Sequence, residues 1–101
     1  MNIQFEKKAD ALVFKLEGSL SIGENKEFEE YVTKHLASGA NNVIIDMEKI
    51  VSIDSSGIGS LAFVQDNVKS DGGQVRLTGL NEELRAIFKK SKLDKYFVFL
   101  D

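Results

Sequence analysis

Apolar residues recur along this chain with two different periods, and the changes between them mark its elements. Residues 3–5 and 11–16 alternate with a period of two, which predicts two strands joined as a hairpin through Lys7-Lys8-Ala9-Asp10. In the second strand Leu12, Phe14 and Leu16 share one face, while Val13, Lys15 and Glu17 share the other. Ser21-Ile22-Gly23-Glu24 fits a capping box, with a serine hydroxyl for an orphan amide and a glutamate three residues on. Beyond it Phe28, Tyr31, Val32 and Leu36 stand at i, i+3, i+4 and i+8, the spacing of a helical stripe. Gly39 is placed to stop that helix by supplying a left-handed residue. Val43-Ile44-Ile45 predicts a short buried strand ending near Asp46. After a linking segment, Ile58, Leu61, Ala62, Gln65 and Val68 line one side of a second helix, which Gly72-Gly73 ends. Residues 75–77 predict another strand. Asn81 caps a third helix, with Glu82 and Glu83 in its first turn and Lys89, Lys90 and Lys92 towards its end. Leu84, Ile87 and Phe88 form its buried side, and residues 96–100 predict a last strand. The order β-β-α-β-α-β-α-β is that of an α/β domain with a mixed central sheet.

Composition narrows this to an ordinary globular domain. The chain has 101 residues, 43% of them apolar and 29% charged, which is enough for one core and one domain. It has no cysteine, so disulfides and thiolate metal sites are excluded, and no proline, so glycine alone punctuates it. The N-terminal residues carry no apolar signal stretch, and the apolar runs fall far short of the roughly 20 residues that span a bilayer. The expectation is a cytoplasmic protein with no membrane segment. A formal net charge of −3, evenly mixed in sign, argues against a nucleic-acid partner.

Candidate chemistry concentrates in Ile53-Asp54-Ser55-Ser56-Gly57-Ile58-Gly59-Ser60-Leu61, where small polar residues and two glycines precede a helical stripe. Hydroxyls placed at a helix N-terminus meet backbone amides without partners and a partial positive charge, so a phosphate on one of them would be accommodated. The plainer reading of the same residues is an N-cap with glycines that permit close approach.

Enzymatic readings of this stretch fail on their own terms. Residues 57–62 match G-x-G-x-x-A, but the next strand, Val75-Arg76-Leu77-Thr78-Gly79, lacks the carboxylate a dinucleotide site needs. No lysine follows the glycines as a phosphate-cradling loop requires, and no G-x-S-x-G elbow occurs. His35, the single histidine, lies on the first helix and reads as a boundary residue. Glu24, Glu27, Glu29 and Glu30 read as a solvated face, so no metal, cofactor or catalytic residue is expected.

Asp54-Ser55-Ser56-Gly57-Ile58-Gly59, set after Val43-Ile44-Ile45-Asp46, resembles the signature of STAS domains. More closely, the chain is similar to the stand-alone bacterial anti-sigma factor antagonists of that family. Leu16-Glu17-Gly18-Ser19-Leu20, Gly72-Gly73-Gln74-Val75-Arg76-Leu77 and Lys92-Leu93-Asp94-Lys95-Tyr96-Phe97 extend the likeness over residues 1–101. The resemblance implies a single domain whose helices pack mainly on one face of a mixed sheet. It also implies a switch: the unphosphorylated antagonist binds an anti-sigma factor that is a serine kinase of the histidine-kinase-like ATPase type. That kinase phosphorylates the serine after the motif aspartate, here Ser55, and a PP2C-type phosphatase reverses the step. Asp54, Ser56, Gly57, Ile58 and Gly59 would form the setting, with Ser21 on the neighbouring partner-binding surface. Ser21 stands where many antagonists of sigma systems carry an acidic residue. Two other functions remain beside this one: a STAS module that senses a nucleotide or small ligand, and a partner switch acting on a target other than a sigma factor.

Overall fold

The computed structural model describes residues 1–36 and 42–100, so the proposed helix stop at Gly39 lies outside the described residues. The chain runs β1 (Asn2–Lys7), β2 (Leu12–Leu20), α1 (Asn25–Leu36), β3 (Asn42–Ile53), α2 (Ser55–Ser70), β4 (Gln74–Thr78), α3 (Glu82–Lys90) and β5 (Val98–Phe99). The five strands lie in the sheet in chain order, β1-β2-β3-β4-β5. The hairpin makes β1 antiparallel to β2, and every later neighbour is parallel. Parallel neighbours need a crossover, and the helical stripes supply one each time.

Register sorts the side chains into two faces. Phe5, Phe14, Ile45, Leu77 and Phe99 form one row across all five strands. Phe14, Ile45 and Leu77 are wholly buried there, beneath Phe28 and Val32 of α1, Leu61 and Val64 of α2, and Phe88 of α3. The opposite row is Glu6, Val13, Ile44, Arg76 and Val98, on the face without helices. Gln65 is 1% exposed and donates from Nε2 to the Tyr96 carbonyl at 2.8 Å, which ties α2 to the segment before β5. His35 sits at the boundary, its ring 4.2 Å from Phe5 and 4.5 Å from Tyr31, centroid to centroid.

Three elements differ from their predicted form. β3 continues to Ile53 rather than ending near Asp46, and β2 continues through Gly18 to Leu20. Both extensions cross register shifts, at Lys15/Glu17 and Gly18/Ser19. A bulge adds a residue to one strand and breaks the alternation that reading by period depends on. β5 is two residues long, because Tyr96 belongs to a turn in which its N–H donates to the Leu93 carbonyl at 3.0 Å. Asn81 caps α3 as predicted, its Oδ1 accepting from the Leu84 N–H at 2.9 Å.

Candidate functional site at the N-terminus of α2

Ile53 anchors the end of β3 in the core, and Asp54 then leaves the strand in an extended conformation, φ −118° and ψ −176°. An extended residue whose carboxylate reaches forward is an N-cap. Asp54 Oδ1 accepts from the Gly57 N–H at 2.9 Å and from the Ser56 hydroxyl at 2.6 Å. Its Oδ2 accepts from the Ile22 N–H at 3.1 Å. One carboxylate therefore closes the first turn of α2 and also holds the turn that follows β2.

That second turn is built from Ser21-Ile22-Gly23-Glu24. The Ser21 carbonyl accepts from the Glu24 N–H at 2.9 Å, and Gly23 takes φ +98°, the left-handed third position of a type II turn. The capping box is not what these residues form. Helix α1 begins at Asn25, the Glu24 carbonyl accepts from the Phe28 N–H, and the Glu24 carboxylate meets the Met1 ammonium at 3.3 Å. Ser21 acts through its carbonyl because the tight turn ends before its hydroxyl could reach a helical amide.

The two serines after Asp54 are not equivalent. Ser55 is exposed at the first helical position, whereas Ser56 is half-buried and its hydroxyl is committed to Asp54. Gly57 and Ile58 face inward, and Ile58 is 3% exposed in the core, so both seat the segment rather than present a surface. A Cβ on Gly57 would stand 2.1 Å from the Leu20 carbonyl oxygen and 2.8 Å from Ile53 Cγ1. The glycine thus serves contact between α2 and the end of β2, not approach of an anion. Gly59 is exposed, and a Cβ there meets nothing within 4 Å. The Gly57 amide, one of the donors the helix end offered on sequence grounds, is already taken by Asp54.

Three further features of this end went unread in the sequence. The Ser19 and Ser52 hydroxyls share a 2.8 Å hydrogen bond across β2 and β3. Val51 is 76% exposed on β3, and Ile22 is 81% exposed at its turn. An isoleucine inside a Ser-Ile-Gly-Glu turn was the one available signal. Val51 had none, because its exposure comes from the bulge.

The Ser56 hydroxyl, then the Gly57 and Ile22 amides, hold the Asp54 carboxyl below its ordinary value of 3.8, since each donates to the charged form. A group with a depressed native value contributes stability above its unfolded value and loses it as pH falls through the native one. Asp54→Asn keeps a cap oxygen for Gly57 but turns an amide donor towards Ile22. Urea denaturation should show it less stable than wild type near neutrality, with the gap closing well below pH 3.8. A gap independent of pH would mean that the carboxylate's charge plays no part.

A five-stranded mixed sheet with helices on one face thus leads, after its central strand β3, into a capped, serine-bearing helix entry. The chain belongs to the STAS domain family, whose model matches residues 2–101. It is 22% identical over 86 residues to a STAS-domain containing protein of Pseudomonas aeruginosa, covering 85% of this chain and 84% of that one. Among solved structures, a Thermotoga maritima protein assigned as an anti-sigma factor antagonist superposes with a TM-score of 0.90 at 22% identity, covering 98% of this chain and 86% of the other. The Bacillus cell fate determinant SpoIIAA in its phosphorylated form gives a TM-score of 0.74 at 20% identity, over 99% and 92% of the two chains. Unphosphorylated SpoIIAA, an anti-sigma factor antagonist, gives 0.75 at 19% identity, over 99% and 88%.

Proposed function

We propose that this protein is a phosphorylation-controlled anti-sigma factor antagonist acting in the cytoplasm. Unphosphorylated, it binds an anti-sigma factor that is also a serine kinase of the histidine-kinase-like ATPase type. The kinase transfers the γ-phosphoryl group of ATP to Ser55, with loss of the hydroxyl proton and release of ADP, and a PP2C-type phosphatase hydrolyses the ester. The observation that carries this reading is the division of labour between the serines: Ser56 is bound to Asp54, and Ser55 stands exposed at the helix entry. The likeness to SpoIIAA supports it, because that anti-sigma factor antagonist shares this fold and takes both a phosphorylated and an unphosphorylated form.

Incubation with the kinase and ATP should add a single phosphate, mapped to Ser55 by mass spectrometry. Ser55→Ala should take up none, and Ser56→Ala should still be modified. A full equivalent of phosphate on Ser55→Ala would sink the assignment.

A further inference from the structure

We infer that Ile22 and Val51 are the apolar anchors of the partner-binding surface, and that the partner receives them in an uncharged, apolar recess on the anti-sigma kinase. This rests on the function proposed above and names the chemistry of its interface.

Single exposed apolar side chains are common on protein surfaces and need no explanation. These two are the most exposed large apolar residues among those described, and both lie at the end of the β2–β3 pair where Ser55 emerges. The backbone presents each of them by a specific device. Gly18 pairs with Ile50 and Ser19 with Ser52, so Val51 is the extra residue of a β-bulge, turned out of the ladder. It precedes Asp54 by three extended residues, about 10 Å. Ile22 is fixed by its own N–H to Asp54 and by the closed turn around it. Both side chains are β-branched and stiff, so little freedom is lost when they are gripped.

The polar groups beside the two side chains are largely answered from within the chain. Ser19 and Ser52 bind each other, the Asp54 carboxylate is occupied by three donors, and Glu24 is paired with the Met1 ammonium. A partner that matched this end with charges would leave them unanswered, which is costly when water is removed. A net charge of −3 disfavours an anionic membrane. An apolar dock also explains how one phosphate decides the outcome: a dianion on Ser55 beside the two anchors would have to be desolvated without a counter-charge.

The test uses the kinase activity that labels the chain from ATP, purified to homogeneity by that activity. Calorimetric titration should show Ile22→Thr and Val51→Thr each binding about tenfold more weakly, and the double variant about 100-fold. Val98→Thr, an equally apolar change on β5, should bind as wild type does. Wild-type affinity should vary less than about threefold between about 50 and about 500 mM salt. Unchanged affinity of the double variant, or a tenfold loss with salt, overturns the inference while phosphate on Ser55 leaves the proposed function standing. Weakened binding of the double variant with no effect of Ser55 phosphorylation keeps the surface and removes the switch. Failure of any kinase to label Ser55 removes both. Binding to phosphatidylglycerol vesicles, or dimerisation in sedimentation, that the double variant abolishes would assign the patch elsewhere and overturn the inference.

Discussion

Alanine at Gly57 costs this protein about 3 kcal/mol or more, because the added methyl overlaps backbone rather than a movable side chain. Its Cβ would lie 2.1 Å from the Leu20 carbonyl oxygen, which itself accepts from the Asp54 N–H at 3.4 Å. Relief requires α2 to move away from β2, and that movement breaks the Asp54 bonds to Gly57 and Ile22. For a domain of this size the thermal midpoint should fall by roughly 15 °C. Gly59→Ala is the matched control. Its Cβ meets nothing within 4 Å, and alanine replaces glycine in a helix, so it should gain about 0.5–1 kcal/mol. Calorimetric melting of the two variants checks both signs. A Gly57→Ala protein that melts within a few degrees of wild type would show that the contact with Leu20 is not fixed.

Phosphate on Ser55 should weaken partner binding by about 3–4 kcal/mol, several hundred-fold. Ser55→Asp adds one negative charge where phosphate adds nearly two, so it moves in the same direction by less. Ser55→Ala should bind as the unmodified protein does and stay in the binding form. Titration of the three forms against the purified kinase measures the ladder, and equal affinities for the alanine and aspartate variants would remove charge as the cause. On sequence alone, backbone changes on phosphorylation are expected only in residues 54–59. The bond from Ile22 to Asp54 adds residues 21–24 to that set. Amide shifts by NMR in residues 75–77 or along α3 would instead mean a change of conformation across the domain.

The features legible in the sequence are those set by local chemistry. Asn81 and Asp54 announce their helices because a cap needs only a short polar side chain and the next turn. Apolar stripes gave the helices because a period of 3.6 survives substitution at any single position. The second half of β3 was hidden, since Glu48 and Lys49 interrupt its apolar run and a bulge shifts the alternation afterwards. Ser21 illustrates a different failure. Its spacing to Glu24 matches a capping box, yet Gly23 lets the chain close a turn there and delays the helix to Asn25. At the site, Ser55 and Asp54 could be named from sequence, but the inward face of Gly57 and the reach of Asp54 to Ile22 could not. Both depend on where β2 ends, through contacts made 32 or more residues away in the chain.

The strands follow one another across the sheet in chain order, and this bears on how the protein assembles. Side-chain bonds between successive units span 33 residues for Ser19–Ser52, 32 for Ile22–Asp54 and 31 for Gln65–Tyr96. Each is about one strand, helix and strand long, so each β-α-β unit can close on the one before it without threading the chain between strands already paired. Loops of that length close at modest entropic cost, and the sheet can grow from one edge. The groups hydrogen-bonded to Asp54, and the Ser19–Ser52 pair beside them, all lie between Ser19 and Gly57. A chain emerging from the ribosome therefore carries all the parts of the proposed switch once β3 and the first turn of α2 are out, while β4, α3 and β5 are still to be made.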